Sequence, residues 1–294
     1  MSLFRNTLFR NIGTTLEMIK WEHSVLTLPF GLTGAVLAAR GLPSLRQAVW
    51  LVVALVSARS AAMAFNRLAD AALDAGNPRT ATRALPAGLL SRQFVFWFVV
   101  VFSLILIFAA RMLSQLAFYL SPVALVIIFG YSNTKRFTRW AHVFLGLAMG
   151  IAPAAAWVAI RGTLDPGIFI VSVAVMFWGG GFDILYSCQD YEYDCRAKLY
   201  SVPQSFGIAK SLVLARLFHV VAFGLFLWMV FAFTLGAIAL AGVLLVGALL
   251  IYEHSLLRAN DLSRLNAAFF TMNGLISMLL LGFIAGDLLL RHAS

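Results

Sequence analysis

The chain contains 294 residues, of which 62% are hydrophobic and 12% are charged, and its formal net charge is +10. Soluble domains hold roughly 45–50% apolar residues, so the composition excludes an ordinary soluble protein and predicts an integral membrane protein. Most of the basic residues flank apolar segments and form no separate basic domain, so we expect no nucleic-acid partner.

A helix that crosses the hydrocarbon core needs about 20 apolar residues. By this measure the sequence predicts nine transmembrane helices, at about 24–40, 48–66, 93–111, 115–130, 140–160, 167–187, 212–233, 235–252 and 268–290. The polar, amphipathic segment 1–23 is expected to lie at the membrane interface. We therefore expect one all-α membrane domain over 1–294, with its nine helices around a central cavity that opens on the cytoplasmic side.

The basic residues predict the orientation of these helices. With nine spans, the N-terminus and the connections after the even-numbered helices share one side, which holds fifteen lysine and arginine residues against five on the other. The positive-inside rule places the first side in the cytoplasm, and we expect a multi-pass protein of the inner (cytoplasmic) membrane. Three polar connections on that side, 67–92, 131–139 and 188–210, are the predicted active-site loops.

Six of the twelve acidic residues lie in two short segments at the ends of apolar runs. Acids at membrane depth are costly and commonly functional. Both segments repeat spacings of four or seven, which place oxygen-bearing side chains on one helix face. These side chains are Asn66, Asp70 and Asp74 in the first segment and Asp183, Asp190 and Asp194 in the second.

Oxygen ligands of this kind, with no His or Cys at zinc spacing, suit Mg²⁺. Glu192 falls on the opposite helix face and is excluded from the predicted site. The alternative is that the carboxylates cap helices or form salt bridges with the nearby arginines. The repetition of the pattern at matched depth favours a divided metal site.

Basic side chains stand next to both acidic segments. The candidates to hold an anion are Arg79, Arg83, Lys135, Arg136 and Lys198. Acids interleaved with bases on one face predict a bound species that is both anionic and metal-chelating. A diphosphate meets both demands, because guanidinium groups grip its oxygens while Mg²⁺ bridges them.

Arg59 lies seven residues before Asn66, on the same helix face and about two turns deeper in the bilayer. A buried guanidinium needs an anionic partner. This partner is either a carboxylate of the protein or an anionic group of a substrate, and the shared face favours a direct role in the site.

In chain order the motifs read Arg59, Asn66-x-x-x-Asp70-x-x-x-Asp74 and Asn77-Pro78-Arg79-Thr80-x-x-Arg83-x-x-Pro86, then Tyr131-x-x-x-Lys135-Arg136-x-Thr138, then Asp183 and Asp190-x-x-x-Asp194. This order resembles that of the UbiA-type membrane prenyltransferases and covers nearly the whole chain. The resemblance implies transfer of an isoprenoid chain from a polyprenyl diphosphate to an acceptor that is often an aromatic ring.

The resemblance also implies roles for individual residues. Two Mg²⁺ ions would be held, directly or through water, by Asn66, Asp70, Asp74, Asp190 and Asp194. Arg79, Arg83, Lys135 and Arg136 would grip the diphosphate. Tyr131 would lie beside the reacting centre, Asp183 would orient the acceptor hydroxyl or stabilise the cation, and His23 is a candidate to touch the acceptor. We expect no role for His142, His219, His254 and His292, which lack partners at useful spacing.

The acceptor is open at this point. An aromatic acid of the 4-hydroxybenzoate type, used in quinone biosynthesis, would give Arg59 an anionic partner. The alternative is 1,4-dihydroxy-6-naphthoate in menaquinone biosynthesis, because Lys20-Trp21-Glu22-His23 followed by Leu28-Pro29-Phe30 resembles that branch.

Two other classes place carboxylates in membrane helices. The CDP-alcohol phosphotransferases carry an Asp-Gly-x-x-Ala-Arg signature, which is absent from this sequence. A cation transporter is the non-enzyme alternative, but transporter sites lie near the bilayer midplane on broken helices, whereas these motifs lie at helix ends beside basic loops.

Overall fold

The computed structural model describes residues 12–293, except for the side chains of residues 23–25 and 292–293. A short helical segment covers 12–18, and no β-strand occurs in the described part of the chain. The helices that follow are α1 Ser24–Ala39, α2 Leu45–Gly76, α3 Arg92–Leu113, α4 Gln115–Thr134, α5 Ala141–Arg161, α6 Ile168–Ser187, α7 Tyr191–Ala197, α8 Val202–Ala232, α9 Ala237–Ser255 and α10 Asn273–Ala293. A 3₁₀ turn, Cys188–Asp190, joins α6 to α7, and a π-helical turn, Ala267–Met272, precedes α10.

Within residues 12–293, eight helical segments are long and apolar enough to cross a membrane. One of them, Ile168–Ala197, combines α6 and α7. The apolar part of α1, Leu26–Ala39, is shorter than these eight. The all-helical membrane fold agrees with the sequence, and the ninth span, assigned to α1, stays a prediction.

Two helix boundaries differ by ten residues from those predicted (76 against 66, and 202 against 212), and α4 continues to Thr134, so that Tyr131 lies on a helix rather than in a loop. α2 continues from the expected end at residue 66 to Gly76, because the sequence after Asn66 is rich in alanine and leucine, which favour helix even where hydropathy falls. α8 begins at Val202 rather than at residue 212, and Gly207, with φ of 78°, interrupts its regular geometry near the start. The acidic residues of the first motif therefore lie on the last turns of a helix.

Close packing of α5 against α6 determines how the ends of the two helices lie relative to each other. A Cβ atom at Gly146 would collide with the carbonyl oxygen of Met176, and one at Gly150 would collide with that of Ser172. The two glycines are four residues apart and share one helix face, which lets the two backbones approach as in other membrane helix pairs. This contact brings the first turn of α5 beside the last turns of α6.

An aromatic cluster joins α1 to the centre of the bundle. The ring of Phe30 on α1 lies 4.6 Å from that of Trp178 on α6 and 6.1 Å from that of Phe226 on α8, measured between centroids. All three side chains are buried. Aromatic pairs of this kind contribute about 0.5–1.5 kcal/mol beyond their buried area, so α1 is firmly attached to the bundle.

Candidate active site

Three adjoining cavities run through the bundle. The polar cavity, of about 220 Å³, is lined by both acidic motifs, with Asp70 and Asp190 among its walls. The middle cavity, of about 310 Å³, contains Arg59 and shares Tyr131 and Asp183 with the polar cavity. The apolar cavity, of about 460 Å³, adjoins the middle cavity through shared residues that include Leu55 on α2, and its walls are mostly aliphatic.

The first acidic motif lies on the last three turns of α2. Asp70 is almost fully buried and accepts hydrogen bonds from Lys135 Nζ at 2.7 Å, Arg136 Nη2 at 3.2 Å and Asn66 Nδ2 at 3.1 Å. Arg136 Nη2 also donates to the carbonyl oxygen of Ala69 at 2.6 Å. These bonds attach the end of α4 to the end of α2.

Asp74, one turn later, uses only one of its carboxylate oxygens. Oδ1 accepts from Arg83 Nη1 at 2.7 Å, whereas Oδ2 is buried and has no hydrogen-bond partner. The hydroxyl of Thr80 donates to the carbonyl oxygen of Asp74 at 3.0 Å and holds the following loop against the helix. A buried carboxylate oxygen without a donor is free to bind a ligand.

The second acidic motif is tied to the loop that follows the first. Asp190 accepts from Arg79 Nε at 2.9 Å and Nη2 at 2.6 Å, a bidentate pair, and from Asn77 Nδ2 at 2.9 Å. Burial alone would lower the pKa of Arg79, but these hydrogen bonds and the charge of Asp190 raise it. Asp194 lines the same cavity, and Tyr193 Oη donates to the carbonyl oxygen of Leu73 at 2.7 Å. The two motifs thus share one cavity.

The donor set of the polar cavity fits a metal ion that arrives with a phosphate ligand. Among residues 12–293, no three His, Cys, Asp or Glu side chains form a preformed cation cluster. Mg²⁺ seldom requires one, because it commonly binds through one or two carboxylates together with waters and substrate phosphates. The buried, partnerless Oδ2 of Asp74 supplies an available oxygen of this type.

Arg59 reaches the middle cavity from α2. Its Nη1 donates to Thr27 Oγ1 at 3.4 Å, and its buried Nε has no hydrogen-bond partner. No carboxylate in the described part of the chain forms an ion pair with it. Tyr131 lies at the junction with the polar cavity. Of the two partners predicted for Arg59, a protein carboxylate is therefore not present among the described residues.

The expectation that His142 has no partner is wrong. Its Nδ1 lies 2.6 Å from Asp183 Oδ2, and its Nε2 accepts a hydrogen bond from the backbone N–H of Val202 at 3.2 Å. Sequence reasoning missed this pair because its members lie 41 residues apart on different helices. His219 and His254 are also paired, with His254 Nε2 3.0 Å from His219 Nδ1.

One predicted site residue, Lys198, lies away from the polar cavity. α7 ends at Ala197, and Lys198 takes a left-handed φ of 54° that reverses the chain and leaves it exposed. Glu192 is exposed, as its helix phase predicts. The side chain of His23 and that of His292 lie outside the described residues.

Arg67 is a site residue that sequence reasoning missed. It is buried, lines both the polar and the middle cavity, and donates from Nε to the carbonyl oxygen of Met18 at 3.2 Å and from Nη1 to Asn66 Oδ1 at 3.4 Å. The sequence signal for this residue was a basic side chain between Asn66 and Asp70. It was missed because the helix was expected to end at residue 66. It adds positive charge at the junction of the two cavities.

Comparison with known proteins shows which sequences this chain resembles. The model of the UbiA prenyltransferase family matches residues 27–275. The 4-hydroxybenzoate octaprenyltransferase of Vibrio cholerae serotype O1 is 31% identical over 243 residues, which cover 81% of this chain and 84% of that protein. The protein of the same name from Shewanella woodyi is 28% identical, and the match covers 90% of this chain and 88% of that protein.

Solved structures show the same fold. The apo structure of a UbiA homolog from Aeropyrum pernix K1 has a TM-score of 0.83 at 31% identity and covers 90% of this chain and 98% of that one. A UbiA homolog from Archaeoglobus fulgidus bound to DMAPP and Mg²⁺ has a TM-score of 0.72 at 19% identity, with coverage of 94% and 99%. By the extent of the family match and the identity to its curated relatives, this chain belongs to the UbiA prenyltransferase family.

Proposed function

We propose that this enzyme transfers a polyprenyl group from a polyprenyl diphosphate to an aromatic acid of the 4-hydroxybenzoate type. The observation that carries the choice of an aromatic acid is the guanidinium of Arg59, which faces the middle cavity without a carboxylate partner among the described residues. A charge-assisted, bidentate bond to an aromatic carboxylate would satisfy it. The naphthoate alternative carries a carboxylate too, and the names of the curated relatives, 4-hydroxybenzoate octaprenyltransferase, support the smaller ring.

The polar cavity suits the diphosphate. Three of its carboxylates are paired with cations: Asp70 with Lys135 and Arg136, Asp74 with Arg83, and Asp190 with Arg79. On binding, we expect an exchange in which these basic side chains turn to the diphosphate oxygens and the carboxylates turn to the metal. Two Mg²⁺ ions, held by Asn66, Asp70, Asp74, Asp190 and Asp194, would supply Lewis-acid neutralisation of the leaving diphosphate.

The middle and apolar cavities suit the organic part of the reaction. The prenyl chain would extend from the middle cavity into the apolar one, whose aliphatic walls exclude water from an allylic cation. The bond between C1 of the prenyl group and the diphosphate oxygen breaks, a ring carbon of the acceptor bonds to C1, and the ring loses a proton to the released diphosphate or to water. Tyr131 lies at this junction, and Asp183 orients the acceptor hydroxyl.

We place the polar cavity on the cytoplasmic side of an inner membrane. The fifteen basic residues on that side support this orientation through the positive-inside rule. It brings a water-soluble aromatic acid to the polar cavity from the cytoplasm, while the polyprenyl chain comes from the bilayer.

A competition assay tests the acceptor. Purified enzyme is given a polyprenyl diphosphate, Mg²⁺ and equal concentrations of 4-hydroxybenzoate and 1,4-dihydroxy-6-naphthoate, and the products are identified by mass spectrometry. We expect prenylated 4-hydroxybenzoate to predominate. Prenylation of the naphthoate alone would replace the proposed acceptor, and release of diphosphate without a prenylated acid would overturn the proposed transfer.

A further inference from the structure

We propose that His142 is a positioning residue: it holds Asp183 in the orientation in which that carboxylate meets the acceptor hydroxyl. The proposal rests on the proposed function for the role of Asp183. His142 lines the polar cavity but forms no hydrogen bond there to the diphosphate side chains or to Arg59; among the described residues its side-chain hydrogen-bond partner is Asp183.

The hydrogen bonds of His142 define its tautomer. The backbone N–H of Val202 can only donate, so the Nε2 atom that receives it, at 3.2 Å, carries no proton. A neutral imidazole then carries its proton on Nδ1. That N–H donates to Asp183 Oδ2 at 2.6 Å, a short bond typical of an ionised acceptor.

The partner of Asp183 is therefore different in kind from those of the neighbouring aspartates. Asp70, Asp74 and Asp190 are each paired with a cationic side chain. Asp183 is paired with a neutral ring, so its negative charge is not cancelled. Its Oδ1 atom has no hydrogen-bond partner among the described residues, and the side chain lines both the polar and the middle cavity with 23% exposure.

The packing of three helices prevents the ring from turning. His142 is buried in the first turn of α5, and Val202 is the first residue of α8. One turn further along α5, Gly146 lies against the backbone of α6, the helix that carries Asp183. Because both ring nitrogens of His142 are hydrogen-bonded and the ring is enclosed, Oδ2 of Asp183 is held in place. The other oxygen, Oδ1, is then presented to the junction of the polar and middle cavities.

His142→Leu and His142→Asn form a matched pair that tests this role. The two new side chains have nearly the same shape, and both lose the acceptor for Val202. Only asparagine places an N–H donor near the position of Nδ1. Loss of an outer partner that orients a functional group typically costs 10–100-fold, so we expect kcat to fall about 10–100-fold in His142→Leu and to recover most of this loss in His142→Asn.

Two further measurements distinguish a positioning role of His142 from a general loss of structure. The KM for the polyprenyl diphosphate should be unchanged in both variants, and in an Asp183→Asn background the two should have equal activity. Equal kcat for the Leu and Asn variants in wild-type background, or a difference that persists without the Asp183 carboxylate, would overturn the proposal.

A ¹⁵N NMR measurement on the wild-type enzyme with labelled histidine covers the case in which the variants do not fold. We expect the signal of His142 to show a neutral ring protonated on Nδ1 at pH 7, and a ring protonated on Nε2 would contradict the assignment. An inactive wild-type enzyme would overturn the proposed function instead, and the NMR result would still test the His142–Asp183 pair.

Discussion

At the scale of single residues, the site pairs three of its carboxylates with partly exposed cations. The cationic partners of Asp70, Asp74 and Asp190 are between 24% and 35% exposed, whereas the first two of these carboxylates are almost fully buried. Partly exposed side chains can exchange partners at modest cost, because such pairs are screened by solvent. The arrangement suits a site that binds a metal and a diphosphate together and releases them together.

Asp74 tests the metal assignment. In Asp74→Asn the shape is kept and the charge is lost, and we expect kcat to fall by about 100-fold, the order found when one electrostatic contact to a reacting group is removed. Asp261→Asn, at an exposed carboxylate outside the three cavities, is the matched control. Unchanged activity of Asp74→Asn across Mg²⁺ concentrations would remove it from the site.

Arg59 tests the acceptor assignment. We expect Arg59→Leu to lower kcat/KM for 4-hydroxybenzoate by about 10–100-fold, because a hydrogen bond to a charged group contributes about 1.5–3 kcal/mol. The KM for the polyprenyl diphosphate should stay the same. An acceptor without the carboxylate, such as phenol, is the control, and an equal loss with both acceptors would show that Arg59 does not bind the carboxylate.

At the scale of elements, the ends of α2, α4 and α6 bring residues together that are far apart in sequence. The hydroxyl of Tyr193 bonds to the backbone of Leu73, and the backbone N–H of Tyr200 donates to the carbonyl oxygen of Lys135 at 2.9 Å. The loops around the polar cavity therefore bond to one another directly. Movement of one helix end would displace several site residues together.

The glycine contact between α5 and α6 tests this coupling. We expect Gly146→Ala to push α5 away from α6, to lower the thermal midpoint and to reduce kcat by about 100-fold, since a displacement of 1 Å at a reacting centre can cost that much. Gly224→Ala on α8 is the control, because a Cβ there has no atom within 4 Å, and it should stabilise the helix. Gly146→Ala with wild-type stability and activity would show that close packing is not required.

The sequence predicted those parts of the site that lie on a single helix. The spacing of Asn66, Asp70 and Asp74 gives their shared face directly, because an α-helix repeats every 3.6 residues. The sequence could not predict the contact of His142 with Asp183, because residue spacing carries no information about which helices pack against each other. Nor could it exclude Lys198, whose left-handed backbone is a property of the turn after α7.

At the scale of the whole molecule, polarity changes along one line of cavities. The polar cavity is lined largely by charged and polar side chains. The middle cavity combines apolar residues with charged ones that include Arg59, Arg67 and Asp183, and the apolar cavity is lined almost wholly by aliphatic groups. An amphipathic substrate with a diphosphate head and a prenyl tail matches this gradient in its order, and the middle and apolar cavities have volumes of about 310 and 460 Å³. Pockets of about 300–1,000 Å³ are usual for ligands of this kind.

Cysteine labelling tests the orientation and the ninth span. Cys195 is exposed on α7, so a membrane-impermeant maleimide should label it in inverted vesicles and not in right-side-out ones. With Cys195 replaced by serine, Gly13→Cys should label from the same side as Cys195, and Leu42→Cys from the opposite side. Labelling of both new cysteines from one side would show that α1 does not span the membrane.

The most direct measurement of the central claim is a product balance on the purified wild-type enzyme. Polyprenyl diphosphate and 4-hydroxybenzoate are supplied with Mg²⁺ or with EDTA, and released diphosphate and prenylated acid are quantified together. We expect the two products in equal amounts with Mg²⁺ and neither with EDTA. Diphosphate released without prenylated acid, or transfer that continues in EDTA, would contradict the account.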